Sequence, residues 1–130
     1  MKFTINIGSK RSPKQAVRDP DEWVSSIMPV SWREARAALR AVGFKIHGIN
    51  IVPGVDEATY VVGLDASGVP AGEVYMRLHA VSIALHQDCI AVRAYDDHYT
   101  PAVKVHECLI GPDAASWAPF NPEYFKELPC

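Results

Sequence analysis

The sequence predicts an α+β domain in which helices cover one face of a mostly antiparallel sheet. Segments in which apolar residues alternate are combined with segments of helical periodicity, in the order strand, short helix, helix, strand, strand, helix, strand, strand. The chain has 130 residues, the length of one domain, and 48% of them are apolar, which is enough for a core. This order contains the ferredoxin-like β-α-β-β-α-β pattern with one extra strand. We therefore expect residues 1–130 to form a single domain.

The N-terminal part of the sequence predicts a strand, a loop and a short helix. Apolar and polar residues alternate over 3–7, and Gly8 ends the pattern. A polar, basic loop follows over 9–18. Asp19 is a suitable N-cap, with a proline at the first helical position and a glutamate three residues on, so we expect a short helix that ends at Met28.

The first long helix is expected over 32–42. Ser31 and Glu34 have the spacing of a capping box, and a glycine follows the last helical residue. The strand predicted over 44–52 changes the phase of its apolar alternation at Gly48, which indicates a β-bulge.

The second half of the chain predicts one helix and three strands. A strand is expected over 58–65 and a mostly buried helix over 73–86. Two further strands, over 89–95 and 102–110, are joined by a long hairpin loop. The tail, 111–130, is rich in proline and aromatic residues, so we expect it to be irregular but docked on the domain.

Composition and motif content exclude several classes of function. The formal net charge is −2, whereas domains that bind nucleic-acid polymers are usually basic. No apolar run is long enough for a bilayer and no secretory leader is visible, so we expect a cytoplasmic protein without a membrane partner. Cys89, Cys108 and Cys130 lack the spacing of a zinc or redox motif. Since no compact catalytic or cofactor-binding motif is present, we expect no cofactor, and a binding protein is favoured over an enzyme.

A stripe of polar residues on the second long helix is the first candidate site. Tyr75, His79, Ser82 and His86 fall on one side, beside the apolar face. Such a row on a mostly buried helix is able to line a ligand groove. The alternative, that the stripe simply faces solvent, is favoured. The two histidines are separated by two turns, roughly 10 Å, so they do not share one metal ion.

Arginines form the second candidate site. Arg33, Arg36 and Arg40 line one flank of the first long helix, and guanidinium groups bind phosphate through forked hydrogen bonds. Arg77 and Arg93 are further candidates for neutralising an anionic ligand. The alternative is a solvated helix flank balanced by nearby acids.

The aromatic tail is the third candidate. Trp117, Phe120 and Tyr124 can stack on a ligand base, and Asn121 can supply directed hydrogen bonds. The same residues are equally suited to plugging the open end of the sheet.

An acidic and histidine-containing loop is the fourth candidate. Asp96, Asp97 and His98 are expected to meet His106 and Glu107 across the hairpin, a set that suits a transition metal or acid–base chemistry. The alternative, an ordinary polar loop, is favoured, so we expect no metal.

Two stretches of the C-terminal half carry a resemblance, LHQDCIAVRA at 85–94 and LIGPDAASWAPFNPEYF at 109–125. They resemble small proteins of unknown function encoded by tailed phages and prophages, in which a helix leads into a Gln-Asp strand and a Gly-Pro turn into a Trp and Phe-Asn-Pro segment. The chain is also similar to the Thoeris anti-defence sponges, oligomers that sequester cyclic ADP-ribose signals. The resemblance implies a role in host–phage conflict, in the host cell cytoplasm.

Together these features lead us to expect a non-enzymatic, homo-oligomeric protein that sequesters an anionic small molecule, a nucleotide-type immune signal. Two alternatives stay open. The first is a protein–protein inhibitor of a host defence enzyme, with the aromatic tail as its contact surface. The second is a small metal-dependent hydrolase that uses the loop at 96–98 together with His106.

Overall fold

The computed structural model describes residues 2–12 and 28–113. Met1, residues 13–27 and residues 114–130 lie outside the described residues, and with them most of the predicted short helix and of the predicted tail. A turn of 3-10 helix, Ala71–Glu73, leads directly into the second helix. The elements are β1 (Lys2–Gly8), α1 (Trp32–Ala41), β2 (Lys45–Pro53), β3 (Ala58–Asp65), α2 (Val74–Ala84), β4 (Ile90–Asp96) and β5 (Val103–Ile110).

The strands form one antiparallel sheet in the order β2-β3-β1-β4-β5. β3 lies between β1 and β2, the two strands that α1 connects. In the same way β1 lies between β3 and β4, the two strands that α2 connects. The predicted α+β class, with helices packed on an antiparallel sheet, is confirmed. The finer ferredoxin-like assignment stays a prediction.

The core lies between the two helices and one face of the sheet. Ile5 of β1 is level with Val62 of β3 and Val92 of β4, and all three are almost completely buried. Leu39 of α1 and Leu78 of α2 belong to the same apolar cluster. The described helices therefore cover one face, and the alternate side chains of each strand lie on the other face.

Two local predictions are confirmed by the backbone geometry. The Ser31 hydroxyl accepts a hydrogen bond from the Glu34 N–H at 3.1 Å and so caps α1. The carboxylate of Glu34 pairs with Arg11, in the loop after β1, so the structure shows the Ser31 cap but not the reciprocal Glu34 half of a capping box. The β2–β3 register shifts between Ile46 and Gly48, which is the predicted bulge.

The second helix is shorter than predicted at both ends. α2 begins at Val74, after the 3-10 turn, and ends at Ala84 rather than at His86. His86 has φ of +52°, in the left-handed region, so the chain has already left the helix there. No helix in the described part of the chain has the length and apolar character needed to cross a membrane.

Candidate functional site

Gln87 and Asp88, which follow α2, form hydrogen bonds that connect the end of β1 and the loop after it to the α2–β4 turn. Gln87 is buried, and its Oε1 accepts a hydrogen bond from the Gly8 N–H at 3.0 Å. Its Nε2 donates to the Lys10 carbonyl oxygen at 3.3 Å. The Asp88 carboxylate accepts a hydrogen bond from the Ser12 hydroxyl. In this chain the motif that carries the resemblance to phage proteins joins two distant segments, which is a structural role.

The predicted polar stripe of α2 is divided between the surface and the interior. Tyr75 and His79 are exposed. Ser82 is fully buried, and its hydroxyl donates to the His79 carbonyl oxygen at 2.6 Å. His86 is buried in the turn, where its carbonyl oxygen accepts from the Ser12 N–H at 2.6 Å. The four residues therefore form neither one continuous groove wall nor one solvent-facing row.

Tyr75 packs across the edge of α2 toward β5. Its ring lies 6.4 Å from that of Phe3 and 5.7 Å from that of His106, measured between centroids. Burial, with a smaller contribution from Cys108, raises the pKa of Tyr75. The phenol is therefore neutral at physiological pH. The polar residue that Tyr75 contacts is His106 of β5. Helical spacing within α2 did not indicate this contact.

The guanidinium group of Arg77 binds the backbone at the C-terminal end of α1. Its Nη1 donates to the Val42 carbonyl oxygen at 2.8 Å, and its Nη2 lies 3.4 Å from the Glu73 carboxylate. The adjacent Gly43 has φ of +96°, a conformation that ends the helix and favours glycine. Arg77 therefore satisfies a carbonyl at the helix C-terminus and has fewer donors left for a ligand.

Arg93 lies on the sheet face opposite the helices and is fully buried. Its Nη2 donates to the Asn6 side-chain oxygen at 2.6 Å. Its position in the strand register is opposite Glu107 of β5, whose carboxylate pairs with Lys104. Because Arg93 is fully buried and bonded to Asn6, its guanidinium group is not accessible to a ligand from solvent.

The hairpin loop forms a compact but exposed polar cluster. One potential ligand atom from each of Asp96, Asp97 and His98 lies within 4.8 Å of the others. The His98 N–H donates to Asp96 at 3.0 Å, and this hydrogen bond, with that of the His98 ring, lowers the pKa of Asp96. Hydrogen bonds within a loop account for this arrangement.

His106 and Glu107 do not complete that cluster on one face. His106 lies opposite Ala94, whose side chain is in the core beneath the helices, whereas Glu107 lies opposite Arg93 on the other face. Neighbouring residues of a strand point to opposite faces, so the sheet separates them. The predicted five-residue set is therefore divided among a loop and two faces of the sheet.

The cysteines of the described chain are poor nucleophiles. Burial raises the pKa of Cys108 to about 11. Burial, followed by the charges of Asp88 and Asp113, raises the pKa of Cys89 to about 11. Both thiols are free and remain protonated at neutral pH, as expected for small apolar side chains.

Arg33, Arg36 and Arg40 form an exposed row on α1, which we name the arginine ridge. Within residues 2–12 and 28–113, no carboxylate pairs with any of the three. The acid of the same helix, Glu34, is engaged by Arg11. Among the arginines predicted to bind a ligand, these three are exposed and have no ion pair with a carboxylate of the described residues.

The arginine ridge lies on the side of α1 that faces the edge of the sheet. Trp32, Arg36 and Arg40 are four residues apart, so they follow one another along one stripe of the helix. The Trp32 ring lies 6.0 Å from the Tyr60 ring of β3, measured between centroids. β2 is the outer neighbour of β3, so the stripe runs along the β2 edge.

Trp32 is a further candidate residue that was not among the predicted site residues. Its side chain is half-buried, so part of the indole stays accessible one turn before Arg36. An indole followed at i+4 and i+8 by arginines places a stacking surface about 6 Å and 12 Å along the helix from two cations. The W-x3-R-x3-R spacing is the sequence signal that would have found it.

The predicted aromatic site and part of the basic loop are not among the described residues. Trp117, Phe120, Asn121 and Tyr124 lie outside them, as do Lys14 and Arg18. The other predicted ligand residues lie in separate places: the outer flank of α1, the end of α1, the α2–β5 edge, the α2–β4 turn and the opposite sheet face.

Comparison of the chain with protein-family models, with curated proteins and with solved structures found no match. The resemblance to phage proteins and to the anti-defence sponges stays a prediction.

Proposed function

We propose that the protein is a non-enzymatic binding protein that sequesters an anionic, phosphate-bearing small molecule of the nucleotide type. The observation that supports it is the arginine ridge on α1, three exposed guanidinium groups without an acidic partner in the described chain. The biological role, removal of an immune signal during phage infection, belongs to the same proposal and rests on the sequence resemblance.

The chemistry of the ridge suits phosphate groups. A guanidinium presents its N–H donors as a planar fork that matches two phosphate oxygens, and it remains charged at every physiological pH. Arg36 and Arg40 are one turn apart, about 6 Å along the axis, so they can contact successive phosphates. The overall net charge of −2 makes this a local basic patch, which favours a small anion over a long polyanion.

The half-buried indole of Trp32 supplies the second element of nucleotide recognition. A base that stacks on Trp32 places its phosphates toward Arg36, because the two side chains follow one another on the helix. The sequence predicts the same stacking role for Trp117, which lies outside the described residues.

Native mass spectrometry of the purified protein tests this proposal. Incubation with cyclic ADP-ribose, or with a deproteinised nucleotide-rich lysate, should add a mass of several hundred daltons per site. Arg36→Glu should abolish the added mass, whereas Lys2→Glu, an equal charge reversal on the exposed start of β1, should keep it. We expect Trp117→Ala to abolish binding without unfolding.

Two results would contradict the proposal. One is a wild-type spectrum that stays unchanged with every nucleotide tried, which would move the preferred hypothesis to a protein partner. The other is equal ligand retention by Arg36→Glu and Lys2→Glu, which would remove the ridge from the site. Far-ultraviolet circular dichroism of each variant shows whether the fold is intact.

A further inference from the structure

The edge of β2 is an exposed apolar strand, and we propose that it pairs with β2 of a second copy of this chain, antiparallel and centred on Asn50. The two sheets would then form one continuous sheet through a two-fold axis. This inference concerns a different surface from the arginine ridge and does not depend on the proposed function.

The exposure of β2 is the first observation. Among the described strands, β2 pairs with β3 alone, so its outer row of backbone N–H and C=O groups is open. Ile49, Ile51 and Val52 are 38%, 53% and 42% exposed. A long apolar edge strand is a template for pairing with another chain.

The length of the regular part of β2 fixes the register. The bulge between Ile46 and Gly48 ends the regular pairing on one side, and Pro53, which has no N–H, ends it on the other. The remaining five residues, 48–52, are symmetric about Asn50. A two-fold axis through Asn50 pairs Ile49 of one copy with Ile51 of the other on the helix side of the sheet.

The side chains and charges are compatible with self-pairing. On the opposite face, the same axis places Val52 beside Gly48, where a Cβ would meet nothing within 4 Å, so there is room for a neighbour. No residue between 48 and 55 is charged, so the centre of the seam carries no like-charge repulsion. At its ends, Lys45 of one copy approaches the turn of the other that carries Asp56, which is a complementary pair.

The two edges of the sheet differ in where their charged residues and bulges lie. In β2, Lys45 and the bulge both precede Gly48, so residues 48–52 are regular and uncharged. β5 carries Lys104 and Glu107 within the strand, and its register with β4 shifts between Ala94 and Tyr95. Charged residues and bulges are the devices by which proteins block edge-to-edge pairing. β2 therefore suits the seam better than β5, although β5 also exposes Val103 and Val105, at 48% and 52%.

Sedimentation velocity over a range of concentrations tests the seam. The wild type should change from monomer to dimer as concentration rises. Ile51→Lys should raise the midpoint concentration at least tenfold, because it places two cations in an apolar seam. Val105→Lys is the matched control, since its side chain is equally exposed on the other edge, and it should leave the midpoint unchanged.

Disulfide trapping tests the register. In a background with Cys89, Cys108 and Cys130 replaced by alanine, Asn50→Cys should cross-link to its own copy, since facing Cβ atoms lie about 5 Å apart. Val52→Cys should not, because its symmetry mate lies four positions away, roughly 13 Å along the strand.

Each negative result overturns the seam. A wild type that stays monomeric at all concentrations, a dimer insensitive to Ile51→Lys, or loss of the dimer in Val105→Lys would each do so. Equal cross-linking at positions 50 and 52 would overturn the register. A monomer that still binds nucleotide would leave the proposed function standing, so the two proposals fail separately.

Discussion

Replacing Gln87 with alanine is expected to destabilise the protein by about 3–4 kcal/mol, because one buried amide bonds three backbone groups. Its Oε1 accepts from the Gly8 N–H, and its Nε2 donates to the carbonyl oxygens of Leu85 and Lys10. Gly8 ends β1 and Lys10 follows it, so the side chain joins this loop to the end of α2.

The magnitude follows from the three hydrogen bonds. Each contributes about 1 kcal/mol net, and a buried group left without a partner costs a further 1–3 kcal/mol. Gly8 is only half-buried, so water reaches part of the vacated space, and we take the lower end of that range. For a chain of this length, the expected loss lowers the Tm by roughly 10–15 °C.

Urea unfolding followed by far-ultraviolet circular dichroism measures the change. The midpoint should fall while the slope m stays constant, since the surface exposed on unfolding is nearly the same. Lys10→Ala is the control: its side chain is exposed, its carbonyl is retained, and its effect should stay within about 0.5 kcal/mol. A free energy of unfolding for Gln87→Ala within about 1 kcal/mol of the wild type would refute this reasoning.

Three further predictions follow from the same structure. Gly111→Ala should lower the free energy of unfolding in urea by about 2–3 kcal/mol, because the added Cβ would lie 2.4 Å from a backbone carbonyl oxygen. Gly48→Ala, where the added Cβ would meet open space, should lower it by less than half as much. The rate of alkylation of Cys89 and Cys108, followed by peptide mass spectrometry, should rise about tenfold per pH unit up to pH 11, since burial raises the pKa of both thiols to about 11. A rate that reaches a plateau near pH 9 would contradict this. Arg93→Met should cost about 2 kcal/mol by the same unfolding assay, because it removes the buried donor to the Asn6 side-chain oxygen. Unchanged stability would show that this hydrogen bond is dispensable.

Much of the fold could be predicted because its signals are local. Alternation of apolar residues gave β1, and Ser31 three residues before Glu34 gave the start of α1. The bulge in β2 was visible because Gly48 coincides with a change in the phase of alternation. Each of these signals lies within about ten residues of the feature that it predicts.

The parts that could not be predicted depend on contacts between distant residues. Gln87 bonds the N–H of a residue 79 positions earlier, so its structural role has no local signal. His86 was placed on the α2 stripe by helical spacing, but its positive φ is set by the turn that receives the loop after β1. Arg93 was an expected ligand residue until the register placed it opposite Glu107 on a buried face.

The arginine ridge and the β2 edge lie on the same side of the sheet, because Trp32 begins the stripe and packs on Tyr60, beside β2. In a dimer joined at β2, the two ridges would flank the seam above the paired isoleucines. Their like charges weaken an unliganded dimer, although salt screens charges more than about 8 Å apart. A bound phosphate-bearing ligand would neutralise these charges and so strengthen the dimer. By thermodynamic linkage, the ligand would then bind the dimer more tightly than the monomer, by the same factor. In such a dimer the two surfaces would be coupled in energy yet separable by mutation, since Ile51→Lys would disrupt the seam and Arg36→Glu would reverse one of the three ridge charges.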